Sequence, residues 1–411
     1  MRRVTFLITS IALAAIVFGF LCYCQPWLMT AREQSQLWLC SLDYLGARLS
    51  EPGGLARYIG EFFVQFYYYI LWGAIITALL VLTSIWLWWL VVSRIWNYYR
   101  EARCPLWLHT VALIPLAGLW LMLQDINVQM TLPVAVCLTL LLSFAIPQEK
   151  TITFPLTIIL TIADWWLAGP VCILLPLFAP WSLVHRQQPA FVKGILRMGV
   201  VTILLTGSML LYAPYSNRPL RNLFAGIDYR IADHYIGTPE EQQYDLLVHL
   251  GLWNRIIEES QENPPRKHCS KYAVLLAQWQ LWHTGEEELR QCFRDTWGSL
   301  SSCCASFLMS DIYLKLGWLN MSQRAAYEAL VSNPNYNQSG RALKRLAETS
   351  LISGQYELVE KYTSILEMAP FYRKWAHQAS QMARNPELIE KNVNCRLLRQ
   401  AYNMTPDAMF Y

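Results

Sequence analysis

The chain has 411 residues, room for two domains, with 55% hydrophobic residues, 15% charged residues and a formal net charge of +4. Soluble proteins carry roughly a quarter charged residues, so the chain as a whole does not read as an ordinary soluble globule. Residues 1–213 hold 12 Lys+Arg and 8 Asp+Glu, and residues 214–411 hold 21 of each sign, interspersed. A neutral polar half without a clustered basic face argues against nucleic acid as a partner.

Crossing about 30 Å of hydrocarbon takes about 20 apolar residues in a helix. Residues 4–24 meet that length, follow Arg2 and Arg3, and end in Leu21-Cys22-Tyr23-Cys24-Gln25, which offers no small-residue cleavage site. This is a retained anchor. Further apolar stretches at 66–92, 106–123, 131–146, 152–168, 171–184 and 196–212 complete a set of seven. The sixth is short and contains Pro176 and Pro180, so it either spans or re-enters. With seven crossings and the N-terminus inside, nine cations fall inside and three outside: Arg32, Arg48 and Arg57, all in a long first outer loop at 25–65. That bias follows the positive-inside rule and puts the C-terminal half outside the cytoplasm. Many of the Trp and Tyr of the first half fall near the ends of apolar runs, as aromatic belts do.

Within the first loop, Pro52-Gly53-Gly54 is a turn, and Leu55, Tyr58, Ile59, Phe62, Phe63 and Phe66 recur at helical spacing. An interfacial amphipathic helix is the simplest account. Two acids stand out in this half. Asp164, near the outer end of the fifth stretch, is either a functional intramembrane carboxylate or an interfacial, hydrated one beside Gly169-Pro170. Asp43, in the first outer loop with Glu51 and Glu61, is either a solvated loop acid or a base or metal ligand.

Residues 214–238 form a polar hinge, and residues 239–411 are helical in pattern. Thr238-Pro239-Glu240-Glu241 starts a helix, with Thr as cap, Pro at the first position and Glu as capping-box partner. Gly251, Gly285, Gly317 and Gly354 each separate two apolar-periodic stretches, at spacings of 34, 32 and 37. Pro334 and Pro370 follow Gly317 and Gly354 by 17 and 16. Helix, glycine turn, helix and closing proline at a period near 34 is the tetratricopeptide-like pattern; unrelated hairpins of similar length are the alternative. The chain ends without a polar capping helix, so either relatives continue further or something packs against that end. The fold class is therefore all-α: a polytopic transmembrane bundle followed by a tetratricopeptide-like solenoid.

Of the 11 cysteines, none pairs in a C-x-x-C motif, which disfavours zinc; a disulfide from Cys269 to Cys292 is open but not demanded. No H-E-x-x-H, G-x-S-x-G or phosphate-cradling glycine loop occurs, so no cofactor or metal is expected. His249, His283 and His377 lie on helical patterns and read as partly exposed structural residues.

The stretch from Asn217-Arg218-Pro219-Leu220 through Tyr229, Ala232, Asp233 and Tyr235 to Asp245 resembles a bacterial family of unknown function. Residues from Pro52-Gly53-Gly54 to Tyr69 are similar to it too. So are those from Ser339-Gly340-Arg341 to Trp375, including Arg345-Leu346-Ala347-Glu348-Thr349 and Phe371-Tyr372. The resemblance implies a polytopic inner-membrane protein with a C-terminal helical-repeat region, whose members run longer at the C-terminus, and it implies no site residues.

These features point to a membrane scaffold that presents an extracytoplasmic helical groove to a protein partner. A membrane glycosyltransferase using a lipid-linked sugar, with Asp43 and Asp164 at its site, is the rival. A transporter ranks third, because the membrane half has no internal repeat and few intramembrane charges.

Overall fold

Apolar and amphipathic stretches alike fold as helices in the computed structural model of the chain, since neither alternates with the period of two that a half-buried strand requires. The structure describes residues 2–100, 113, 115, 117–147, 152–178, 188–216, 229–230, 236–283, 300–333 and 338–404. Among these residues there is no strand beyond one bridge between Val128 and Arg230. The first helices are α1 (Arg2–Tyr23), α2 (Pro26–Ser35), α3 (Leu42–Leu49), α4 (Gly54–Gln65) and α5 (Ile70–Arg100). Then come α6 (Thr131–Ser143), α7 (Thr153–Ala168), α8 (Leu174–Leu177) and α9 (Gln188–Tyr212). The later ones are α10 (Pro239–His249), α11 (Trp253–Glu262), α12 (His268–Trp282), α13 (Cys303–Lys315), α14 (Leu319–Val331), α15 (Gly340–Ser353) and α16 (Tyr356–Leu366). The last are α17 (Arg373–Arg384), α18 (Glu387–Lys391) and α19 (Val393–Met404).

The chain packs as two units. One comprises Met1–Cys24, Ser41–Phe66 and Leu71–Ile231; the other comprises Gln25–Cys40, Tyr67–Ile70 and Ala232–Tyr411. Residues 25–40 and 67–70, which the sequence pattern gives to the membrane half, thus belong with the C-terminal helices.

In the first unit, three helices among the described residues are long and apolar enough to cross a membrane: Thr5–Tyr23, Ile70–Asn97 and Gly194–Tyr215. Helices α6 and α7 are apolar but shorter, with 13 and 16 residues, or about 20 and 24 Å at 1.5 Å per residue. Half of the third apolar stretch, 106–112 with 114 and 116, lies outside the described residues. The sixth is broken, up to Leu177, into a 3-10 turn (Pro170–Ile173) and the single helical turn α8. Gly169, at φ +86°, ends α7, and Pro170 opens the turn, so one straight helix does not form there.

Two ends of this unit are held by different contacts. At one, Gly53 N–H donates to the Trp166 carbonyl at 2.8 Å, and Gln129 N–H donates to the Tyr229 carbonyl at 2.9 Å. Tyr229 Oη donates to the Ala168 carbonyl at 2.5 Å, and Arg230 pairs with Asp125. At the other, Arg94 donates to the carbonyls of Ser143, Phe144 and Ile146, and Arg197 lies over the Phe154 ring. Helix α4 packs on α6 and α7. Its buried side is Gly54, Ala56, Arg57, Gly60, Glu61, Val64 and Gln65, while the aromatic stripe is only half-buried. The helix is therefore amphipathic as its spacing predicts, with the polar and small side turned inward. Gly60 permits the approach, since a Cβ there would stand 2.8 Å from Thr131 N.

In the second unit, Thr238 and Glu241 form the predicted capping box. Gly251, Gly317 and Gly354 adopt φ of +67°, +78° and +82° between α10 and α11, α13 and α14, and α15 and α16, a left-handed conformation that residues with a Cβ take only at a cost. Gly285 lies outside the described residues. Neighbouring pairs stack α14 on α15 and α16 on α17, but α10 also packs directly on α13. Residues Tyr244, Val248, Ile256, Leu276, Leu308 and Ile312 form the core at that contact. Beyond α17 the chain continues in α18 and α19, and α19 turns back onto α15. There Arg399 donates to the carbonyls of Leu351 and Ile352, which helix α15 leaves unmade at its end. Cys269 is a buried free thiol; Cys292 lies outside the described residues.

Candidate functional site

Ser339 caps α15, with its Oγ accepting from Ala342 N–H, and so starts the helix just ahead of buried Arg341 and half-buried Arg345. Arg341 and Arg345 are four residues apart and share one face. Arg341 grips Asp245 of α10 with two hydrogen bonds of 2.8 Å and Asp311 of α13 with a third, also 2.8 Å. Its guanidinium lies 5.0 Å above the Phe307 ring. Arg345 pairs with Asp311 and with Glu348, and His249 Nδ1 lies 2.9 Å from Asp311. Burial would raise the Asp311 carboxyl, but the two guanidiniums, Arg341 foremost, and His249 hold it well below the usual carboxylate range. The lattice fixes the mutual register of three helices.

Helix α2 packs on two of the same helices, α10 and α15. Leu28, Met29 and every side chain from Ala31 to Ser35 are buried. The hydrogen bonds that hold the segment include Tyr372 Oη to Glu33 Oε1 at 2.8 Å, Asn333 Nδ2 to the Gln34 carbonyl at 2.7 Å, and Cys40 N–H to the Met368 carbonyl at 2.9 Å. Tyr68 stacks on Phe371 and meets Tyr372 edge-on. Gly340 leaves the room for the Tyr372 ring, which a Cβ would overlap. Glu33 is 4% exposed. Burial pushes its carboxyl up to about 7, with the Tyr372 hydrogen bond and the charges of Arg341 and Lys344 opposing. Both side-chain polar atoms of Gln34 are buried without a hydrogen-bond partner among the described residues.

In the first unit Glu61 is a second buried node. It accepts from Tyr44 Oη at 2.5 Å and from the Nε of Arg48 and of Arg57, each at 2.9 Å. Asp164 is fully buried rather than hydrated: its Oδ2 accepts from Thr139 Oγ1 at 2.7 Å, and its Oδ1 has no hydrogen-bond partner among the described residues. Asp43 is exposed in the first turn of α3. Among the described residues no hydrogen bond or ion pair joins the two aspartates. Nor, among them, do three His, Cys, Asp or Glu side chains converge as a metal ion would need. His249 meets Asp311, while His377 and the left-handed His283 are exposed.

Sequence reasoning missed Glu33 and the Glu61 node. The i,i+4 spacing of Arg57 and Glu61 was a readable signal for the second. Asp245 and Arg341, 96 residues apart, carry no local signal, yet both lie in segments that bear the family resemblance, as do Tyr68, Phe371 and Tyr372.

No curated protein and no solved structure matches the chain. Residues 2–410 match a family described as "Family of unknown function (DUF6057)". The chain is a member of that family over nearly its whole length.

Proposed function

We propose that this protein is a multi-pass scaffold of the bacterial inner membrane, holding a tetratricopeptide-like helical domain at the outer face to bind a protein partner. The observation that carries the reading is the seat of α2, a helical segment cradled by α10 and α15 and held through Glu33, Gln34 and Cys40. A groove that holds one helix in this way has the chemistry to hold another. The left-handed turns at Gly251, Gly317 and Gly354 support the repeat; the direct packing of α10 on α13 departs from strict nearest-neighbour stacking.

Seven crossings with the N-terminus inside suit the contacts of the first unit. Segments 49–53, 125–130, 166–171 and 229–230, which that topology puts outside, contact one another, while Arg94 and Arg197, which it puts inside, lie at helix ends away from them. The test is a pair of fusions after Tyr411. An enzyme reporter active only outside the cytoplasm is expected to work there, and a cytoplasm-only reporter is expected to be silent. The reverse pattern would remove the outer-face domain and the scaffold with it.

A further inference from the structure

Residues Gln25–Cys40 enter the helical unit from neighbours on both sides, Cys24 and Ser41, that belong to the other unit. The segment is thus an insert, held in its seat by packing and by polar contacts that include those of Glu33, Gln34 and Cys40. Four groups face its buried carboxylate. Tyr372 precedes α17 and donates to Glu33. Tyr68 stands in the short Tyr67–Ile70 piece, and Arg341 and Lys344 reach Glu33 from α15 only through their fields. Among the described residues no cation lies within ion-pair distance of Glu33.

We propose that Gln25–Cys40 is a releasable strap over the helical groove, and that loss of the Glu33 proton to solvent loosens it so that a partner's helical segment can take its place. This rests on the reading of the domain as a protein-binding scaffold. Among the described residues an ionised carboxylate in this seat has Tyr372 as its donor, and it is buried away from water, a costly arrangement for a charge. Released, the same carboxylate is hydrated. The seat therefore favours the protonated acid. Below pH 4.5 Glu33 is protonated in both states and the strap is tightest. Between 4.5 and about 7 the released state loses its proton first, so the seat weakens; above about 7 it stays at its weakest. A rise from 4.5 to about 7 corresponds to roughly 300-fold in the equilibrium between seated and released strap.

The Gln34 side chain adds a second reason for release. Both of its polar atoms are buried and, among the described residues, without a hydrogen-bond partner, a standing cost to the seated state that no pH removes. A competing helix suits the groove best with a neutral hydrogen-bond acceptor such as a carboxamide at the Glu33 place, where Tyr372 can donate to it, an apolar residue at the Gln34 place, and an apolar run like Leu37-Trp38-Leu39 behind it.

Hydrogen exchange of the full-length protein in lipid nanodiscs, followed across that pH range and corrected for intrinsic exchange, tests this. Amides of residues 25–40 are expected to open up to roughly 300-fold more readily at alkaline than at mildly acidic pH, while amides of α13 keep constant protection. Glu33→Gln, which keeps an acceptor for Tyr372, is expected to abolish the pH dependence. Gln34→Leu is expected to slow opening at every pH. A wild-type segment with flat opening, or a Glu33→Gln variant with unchanged dependence, overturns the strap. Loss of α13 protection in Glu33→Gln would signal a folding defect, and Gln34→Leu then decides alone: unslowed opening overturns the proposal. The measurement needs no partner, so its failure leaves the scaffold reading to the fusion test.

Discussion

Replacing Arg341 with Met is expected to cost about 3–5 kcal/mol of stability, among the largest effects of any single change in the helical unit. The methionine fills much of the volume but leaves Asp245 without its two hydrogen bonds and Asp311 without one of its cations, each inside a closely packed core. Arg341→Lys is expected to fall only a little short of that loss, because an ammonium cannot make the paired contact to Asp245 while also reaching Asp311. The triple change Arg341→Met, Asp245→Leu, Asp311→Leu is expected to regain part of it, since an apolar core avoids the desolvation of charge. Thermal unfolding of the purified protein reads all three. A loss below about 1 kcal/mol in Arg341→Met would mean that the lattice is not the clamp on α10, α13 and α15.

Gly54→Ala is expected to be comparably severe in the first unit. Gly53, at φ +77°, turns the chain so that Gly54 opens α4 against the backbone of α3. A methyl on Gly54 would fall inside the Arg48 carbonyl. Overpacking usually costs about 1–3 kcal/mol, and here the obstacle is backbone, which cannot rotate away. Relief requires α3 to move, and Arg48 and Tyr44 move with it, leaving Glu61 to Arg57 alone. The expected readout is a collapse in the yield of monodisperse protein. Gly46→Ala is the control: a Cβ at Gly46 meets nothing within 4 Å, and alanine suits a helix interior better by about 1 kcal/mol. Equal behaviour of the two variants would contradict the close α3–α4 contact.

How much of this was legible follows from where each signal lies. The turn glycines and the Thr238–Glu241 cap act within a few residues, so sequence pattern finds them. The break at Gly169-Pro170 was half-visible: the short, proline-bearing stretch read as doubtful, and the structure divides it into single turns. Gln25–Cys40 was not visible. Arg32-Glu33-Gln34-Ser35-Gln36 reads as a solvated loop, and only Tyr372, 339 residues away, and Asn333, 299 residues from Gln34, make it interior. Asp164 was open in the sequence, since nearby Trp and Gly-Pro suggest an interface, and Thr139 of α6, 25 residues away, holds it inside.

The most direct test of the central claim, that the helical domain is a receptor for a helical segment, uses a fragment of residues 217–411 and a peptide of residues 25–40. The fragment lacks α2, whose Leu28 and Met29, with Leu37, Trp38 and Leu39, are buried; burying such side chains contributes about 1.5–3 kcal/mol each. Alone it is expected to be folded but less stable, and titration with the peptide is expected to raise its melting temperature by several degrees. A fragment that melts identically with and without the peptide, and does not bind it, would contradict the account.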